Sequence, residues 1–409
     1  MFVSGRSAYP RQPPYYFYGK EMKKIKKILQ TLTVSKPEYI ALKQHLNKQP
    51  VGYPKTMTGV ENRLLTEIFT PLEAVTALYL TSHFETLETI HERAKDKVPM
   101  DELERRLKSM EARGGIFLRF RDGIAQYALH PFVVGMFEMQ LERLTPGYYM
   151  DTLKYGIQSF GMEYLSTKIP QMRTIPIQKS IQADQNIATY DEIRSLVETA
   201  AKEMQLVPCV CKTGRDLIDE PCKKTKRREV CLLFNDLADT ARRHEMGRAV
   251  TKDEAMNMLK AGEKEGLVLM TSNMKDPQVI CSCCGCCCGI ISMIRSMPRP
   301  ADFTASNYVA TLDKAACTGC KNCLKRCSMK AMKLEKETGN PIGIDPGKCI
   351  GCGVCIPVCK AKAITLKKKE SPTIPPQDHD ELYDIIAKGK KTAWGKAVHL
   401  ARAMAGVKV

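Results

Sequence analysis

The sequence predicts a multidomain α+β protein, and three observations carry that expectation. All 18 cysteines of the 409-residue chain fall between Cys209 and Cys359, so the second half differs in kind from the first. Upstream of them, three amphipathic stretches run into a two-strand pattern. Downstream, the proline-rich segment SPTIPPQD at 371–378 sets off a basic tail. A chain of this length can bury about two to four separate cores. The expected divisions are a basic helical segment (1–55), three helices and a hairpin (56–150), a cysteine-rich central α/β domain (151–300), a repeat of cysteine quartets (301–370), and a linker with a C-terminal helix (371–409).

The formal charge of +18 invites nucleic acid or an acidic protein as partner. Bound metal would change that count, because the cysteines that hold it do so as negatively charged thiolates. Many cysteines imply disulfides chiefly in small exported domains. The opening MFVSGRSAYPRQPPYYFYGK has no apolar stretch of signal-peptide length and no twin arginine, and no later window reaches the ~18 apolar residues of a spanning helix. The expectation is a soluble, cytoplasmic protein in a reducing compartment, where clustered thiols bind metal. Met22, Ile25, Ile28, Leu29 and Leu32 form an early apolar stripe, suited to core packing or to a membrane surface.

In TPLEAVTALYL a capping box, Thr70 to Glu73, with Pro71 at the first helical position, starts a helix. FETLETIHERA sets Phe84, Leu87, Ile90 and Ala94 on one face, and MDELERRLKSMEARG does the same with Leu103, Leu107 and Met110. GIFLRFRDGIAQYALH reads as strand, Asp122-Gly123 turn, strand. This order resembles the winged-helix family, whose members often bind DNA. The helix that would enter a groove, residues 100–113, balances Asp101, Glu102, Glu104 and Glu111 against Arg105, Arg106, Lys108 and Arg113. Phosphate contact calls for a basic helix, so protein docking is favoured and nucleic acid is the lesser alternative.

In the central region a strand is expected around Ile175 to Ile177, then a helix capped by Thr189 and Glu192, and a second capping box, Thr251 to Glu254, opens a helix ending near Gly266. LVLM follows as a strand. The central cysteines are expected on loops between these elements. PCVCKTGRDLIDEPCKKTKRREVC supplies Cys209, Cys211, Cys222 and Cys231, enough for one cluster. ICSCCGCCCGI supplies Cys281, Cys283, Cys284, Cys286, Cys287 and Cys288. Sequential neighbours on an extended backbone point to opposite sides, so these six thiols must be shared between sites. One or two further iron–sulfur clusters, a redox dithiol, and a soft-metal or zinc site are the readings they allow. Lys212, Arg215, Lys223, Lys224, Lys226, Arg227 and Arg228 form either a positive rim that screens an anionic cluster or docks an acidic electron carrier, or a solvated loop. The histidines, among them His83, His91 and His130, show no ligand spacing.

DKAACTGCKNCLKRCSMKAMKL from Asp313 and DPGKCIGCGVCIPVCKAKAITL from Asp345 each hold C-x2-C-x2-C-x3-C, and the offset 345 − 313 = 32 also aligns Gly319 with Gly351 and Leu334 with Leu366. This internal duplication resembles the two-cluster bacterial ferredoxins, in which the fourth cysteine of each run serves the other cluster. The resemblance implies two [4Fe-4S] clusters: cluster I on Cys317, Cys320, Cys323 and Cys359, and cluster II on Cys349, Cys352, Cys355 and Cys327. Zinc suits separated C-x2-C pairs better than a duplicated quartet. The usual proline after the fourth cysteine is replaced by Ser328 and Lys360, a departure that bears on potential and oxygen tolerance more than on ligation.

The fold class expected is thus α+β multidomain: a winged-helix-like N-terminal domain, a cysteine-rich central α/β domain and a C-terminal ferredoxin-like dicluster domain. The layout looks like the multi-cluster iron–sulfur proteins of anaerobic bacteria. That likeness implies an electron-transfer protein or oxidoreductase subunit with a redox protein or enzyme subunit as partner, or alternatively a redox-sensing winged-helix DNA-binding regulator. The tail ELYDIIAKGKKTAWGKAVHLARAM reads as a basic helix interrupted near Gly389 and Gly395, docking on a partner or on its own chain.

Overall fold

The computed structural model describes residues 36–180, 188, 191–198 and 204–409. The apolar stripe at 22–32 and the cap expected at Thr189 lie outside the described residues.

The N-terminal unit opens with α1 (Pro37–Lys48), α2 (Val60–Ile68) and α3 (Pro71–Thr76). The Thr70 side chain accepts from the Glu73 amide and Glu73 returns the bond, closing the capping box. Next come β1 (Glu85–Thr86), α4 (Leu87–Ala94), α5 (Met100–Ala112), β2 (Ile116–Arg121) and β3 (Ile124–Leu129), with the strands ordered β1-β3-β2. Ile90, Ala94, Leu103, Leu107 and Met110 are fully buried, as the 3.6-residue pattern predicts. Phe84 falls outside α4, because the Thr86 hydroxyl caps the helix two residues later by accepting from the Thr89 amide. Asp122 and Gly123 both take positive φ, +52° and +78°, which lets a two-residue turn follow the strand twist. Helices α6 (Pro146–Tyr155) and α7 (Gly161–Leu165) lead to the central region.

Among the described residues, the central region is built on six strands: β4 (Met172–Ile175), β5 (Met204–Pro208), β6 (Glu229–Leu233), β7 (Arg248–Val250), β8 (Val268–Ser272) and β9 (Val279–Cys283), in the order β4-β8-β9-β6-β5-β7. Each neighbouring pair is antiparallel. This corrects the α/β expectation for the region. The short 273–278 loop between β8 and β9 is a hairpin connection, whereas a parallel crossover needs about a dozen residues or more. The first strand also ends earlier than expected, at Ile175, since Pro176 has no amide to continue the ladder. The connecting helices are α8 (Ile193–Glu198), α9 (Val210–Asp216), α10 (Asn235–Arg243), α11 (Lys252–Glu265) and α12 (Gly289–Arg295). The second capping box, at Thr251 and Glu254, starts α11, and Gly266 ends it in the left-handed conformation.

The C-terminal repeat pairs β10 (Tyr308–Leu312) with β13 (Ile364–Lys368) and β11 (Met332–Leu334) with β12 (Pro341–Ile344), with α13 (Asn322–Arg326) between. Pro376 and Gln377 of the linker accept backbone bonds from Lys275 and Asp276, so the segment is laid along the central region. The tail forms two helices, α14 (His379–Lys388) and α15 (Ala393–Met404). The break falls at Gly389 as expected, but Gly395 lies inside α15, where its amide donates to the capping Thr392. The tail packs on its own chain, with Lys396 paired to Glu163 and Lys390 donating to the Asn47 carbonyl at 2.7 Å.

Candidate metal centres

The backbone of the C-terminal repeat repeats with its sequence. Gly319 and Gly351 both take φ of +69°, Lys321 and Gly353 take +60° and +71°, and Lys330 and Lys362 take +54° and +52°. At Gly351 the conformation is obligatory twice over, since a Cβ there would stand 2.4 Å from the Tyr308 carbonyl. The halves also exchange partners: the Asp313 amide donates to the Ala363 carbonyl and the Asp345 amide to the Ala331 carbonyl, both at 2.8 Å.

Cys327, Cys349, Cys352 and Cys355 line one cavity whose other walls include Ala310, Met332, Ile344, Ile350 and Val354. The chain thus brings one thiol from the first half to three of the second. Ala331 N–H donates to the Cys327 sulfur at 3.3 Å, and Ala310 N–H to Cys349 at 3.4 Å, the bonds that tune a bound cluster. Burial pushes the Cys352 thiol up to about 12 and raises Cys349 and Cys355 as well, so ligation here displaces protons. In the other quartet Cys323 is buried, Cys317 half-buried and Cys320 exposed. Cys359, the borrowed member, packs against the same small core as Cys323.

Residues 316–363 match the family model of the 4Fe-4S dicluster domain. The C-terminal repeat is a dicluster domain. No curated protein and no solved structure matches the chain. The dicluster domain carries two [4Fe-4S] clusters, and its sulfur-lined, otherwise apolar cavity with amide donors aimed at sulfur fits one of them.

The central thiols are divided otherwise than their sequence segments suggest. Cys281 and Cys283, two apart on β9, share one sheet face. Cys281 is in register with Cys231 of β6, and their sulfurs are 3.9 Å apart. From there the thiols form a continuous run of interacting neighbours, Cys281 beside Cys283, Cys283 beside Cys288 at the cap of α12, Cys288 beside Cys211 in α9, and Cys211 beside Cys209. Hydrogen bonding to Cys231 and burial hold Cys281 well above the usual thiol range; bonding to Cys211 and burial do the same for Cys209. A second group gathers Cys222, Cys284, Cys286 and Cys287, all with sulfurs within 4.8 Å of one another.

Two expectations are corrected here. Cys222 does not complete a site with Cys209, Cys211 and Cys231. It lies on the loop after α9, which carries it to Cys284 and Cys286 at 3.7 and 3.9 Å, while Cys231 is held on the sheet face by its strand. Nor are the central cysteines all on loops, since Cys231, Cys281 and Cys283 are strand residues and Cys211 is helical. Within ICSCCGCCCGI, Cys281, Cys283 and Cys288 join one group and Cys284, Cys286 and Cys287 the other, so adjacent thiols part company at 283/284 and 287/288.

Lys212 lies between the groups and is 1% exposed. Its ammonium donates to the Ser282 carbonyl at 3.1 Å and to the Cys284 sulfur at 3.6 Å. Burial opposes its charge, but Cys209, Cys284, Cys283 and Cys222, once ionised, outweigh burial and hold it above the usual lysine range. The sequence left Lys212 in a run that either screens or docks as a positive rim or lies in solvent, and its burial takes it out of the solvated loop. The rest of that run is largely committed: Arg227 pairs with Glu265 at 2.7 Å, Arg228 with Asp216 and Arg215 with Glu220, while the Lys224 ammonium donates to the Lys325 carbonyl of the dicluster domain at 2.9 Å.

The dicluster domain meets the central region at its Cys327 side. Val268, in register with Cys283, also lines the cavity of Cys327, Cys349, Cys352 and Cys355. A Cβ on Gly285 would lie 3.5 Å from that of Ser328, the neighbour of Cys327. The Ile177 amide donates to the Cys352 carbonyl at 3.1 Å, and Arg326 donates to the Lys264 carbonyl at 2.6 Å. Cys320, in the other quartet, remains exposed.

Proposed function

We propose that the protein is an iron–sulfur electron-transfer protein or oxidoreductase subunit that passes single electrons between an outside redox partner and a centre built on Cys209, Cys211, Cys231, Cys281, Cys283 and Cys288. Bound [4Fe-4S] clusters supply one-electron transfer. The observation that carries the reading is the polarity of the dicluster domain: the Cys327 quartet abuts the strands bearing the central thiols, and Cys320 faces outward. On the outward side Leu334 and Ile342 are exposed apolar residues among lysines, a surface suited to an acidic partner. No described helix is long and apolar enough to cross a membrane.

The test uses a bulky one-electron donor protein that reaches the surface but not the buried thiols. Wild-type protein should accept more than about two electrons, one for each terminal cluster and the rest at the central thiols. Cys281→Ser with Cys283→Ser should accept only the first two, and Cys327→Ser should slow the additional uptake at least tenfold. Uptake that stops at two in wild type sinks the reading.

The N-terminal helices and hairpin are read as a winged-helix-like module serving as a protein-docking element. On α5, Arg105 pairs with Glu102 at 2.8 Å, Arg106 with Glu102 at 2.8 Å and Lys108 with Glu104 at 2.6 Å, leaving little free positive charge for phosphate. The hairpin is engaged internally too, through Arg121 with Asp236 at 3.1 Å and Arg119 with Asp380 at 3.5 Å. Saturable, sequence-dependent shifts of promoter DNA would favour the regulator instead.

A further inference from the structure

We propose that Cys222, Cys284, Cys286 and Cys287 hold a single metal ion, zinc or iron, in a closed tetrahedral tetrathiolate site distinct from any iron–sulfur cluster. Four thiolates about one ion at about 2.3 Å form a tetrahedron whose edge is about 3.8 Å, the bond length multiplied by about 1.63. Four of the six sulfur separations are 3.7 Å for Cys222–Cys284, 3.9 Å for Cys222–Cys286, 3.7 Å for Cys286–Cys287 and 3.4 Å for Cys284–Cys286, and the other two, Cys222–Cys287 and Cys284–Cys287, lie within 4.8 Å. In a cubane each thiolate caps a different iron and points outward from a shared core, so its ligands must stand farther apart than ligands of one ion. The contrast lies within this chain, where Cys327, Cys349, Cys352 and Cys355 surround a cavity instead of meeting one another.

The surroundings meet the charge that such a site carries. Four thiols take up one divalent ion and release four protons, leaving a net 2−. The Lys212 ammonium, 3.6 Å from the Cys284 sulfur, offsets one of those charges. All four ligands are protein thiolates, soft donors that select zinc or iron over hard cations, and no coordination position is left for substrate. The site's work is therefore to clip the Cys222 loop to the turn before α12. That turn contains Gly285, which faces Ser328 of the dicluster domain, so the clip shapes the docking surface. This holds whether or not electrons travel to the six-thiol run.

Metal and acid-labile sulfide, measured per chain on anaerobically purified wild type and on Cys222→Ser with Cys286→Ser, test it. The expected result is the loss of one zinc or one iron with sulfide unchanged, and metal analysis says which. Loss of about four iron together with about four sulfide would mean a cubane, and loss of no metal an empty thiol group; either overturns the proposal. Retention of dicluster iron checks that the variant has folded. If it has not, the unmodified protein decides: a zinc edge spectrum with four sulfurs at about 2.3 Å and no neighbouring metal, or one mononuclear high-spin iron in the Mössbauer spectrum, supports the site, and the absence of both overturns it.

Discussion

The dicluster domain and the central thiol region both concentrate cysteines, but they assemble them by opposite means. In the first, Cys349, Cys352 and Cys355 come from one tight loop and Cys327 from its duplicate, so the spacing in sequence shapes the cavity. In the second, strands and helices distant in sequence bring thiols together, and neighbours such as Cys283 and Cys284 go to different groups. A loop of fixed dihedrals transmits sequence distance into space. A sheet does not, because its partners are chosen by register: Cys231 meets Cys281 fifty residues away because β6 pairs with β9.

Cys327→Ser breaks this comparison most sharply. Cys327 belongs by sequence to the first quartet and by position to the cavity of the second. The variant should lose about four of the dicluster's about eight iron atoms, and the cluster lost should be the one whose environment includes Cys349, Cys352 and Cys355. Iron analysis with EPR of the reduced protein checks it, and loss of the Cys317, Cys320 and Cys323 cluster instead would reverse the assignment. Cys222→Ser, by contrast, should leave the dicluster iron intact.

Lys212→Met probes the central side. Removing the cation from a buried charged cluster leaves thiolate charge uncompensated, a loss of about 3–5 kcal/mol by the precedent of broken buried pairs. Metal retention by the central thiols under a chelator should fall while the dicluster iron stays constant. An equal loss in both regions would mean general unfolding. Gly353→Ala acts at the seam between the regions. Its φ of +71° costs an alanine about 1–2 kcal/mol. The added Cβ would also meet the Ser180 Oγ at 2.2 Å, an overpacking cost of about 1–3 kcal/mol. The thermal midpoint, followed anaerobically, should fall, and electron uptake beyond the terminal clusters should slow.

Much of the local structure was legible because it depends on neighbours in sequence. Both capping boxes, the Asp122-Gly123 turn and the buried stripe of Leu103, Leu107 and Met110 form where the residues predict them. So does the duplicated loop, with Gly319 and Gly351 in matching conformations. What escaped depends on tertiary pairing: the antiparallel order of the central sheet, the transfer of Cys222 to Cys284, and which member of the basic run is buried, namely Lys212. Thr86 shows the boundary between the two cases. The helical period extended naturally back to Phe84, but one hydroxyl able to cap, together with β1 pairing to β3, moved the start to Leu87.

The smallest effect is expected where the N-terminal module meets the central region. Glu111 of α5 accepts from Arg243 of α10 at 2.8 Å and lies 3.1 Å from His244. Burial pushes its carboxyl up, but the adjacent His244 imidazole and the hydrogen bonds from Arg243 outweigh that and hold it below the usual glutamate range. A carboxylate whose folded pKa is depressed stabilises the fold above its unfolded pKa of about 4.3, and that stabilisation is lost as pH falls through the lower folded value. Glu111→Gln keeps the shape and an acceptor but removes the charge, and should cost about 1 kcal/mol at pH 7, the margin between a charged and a neutral acceptor. Comparison of thermal midpoints against wild type should therefore show a deficit at pH 7 that narrows below about pH 4. A deficit independent of pH would mean that the contact with α10 works through packing, and that the module docks on the thiol-bearing region by shape instead of charge.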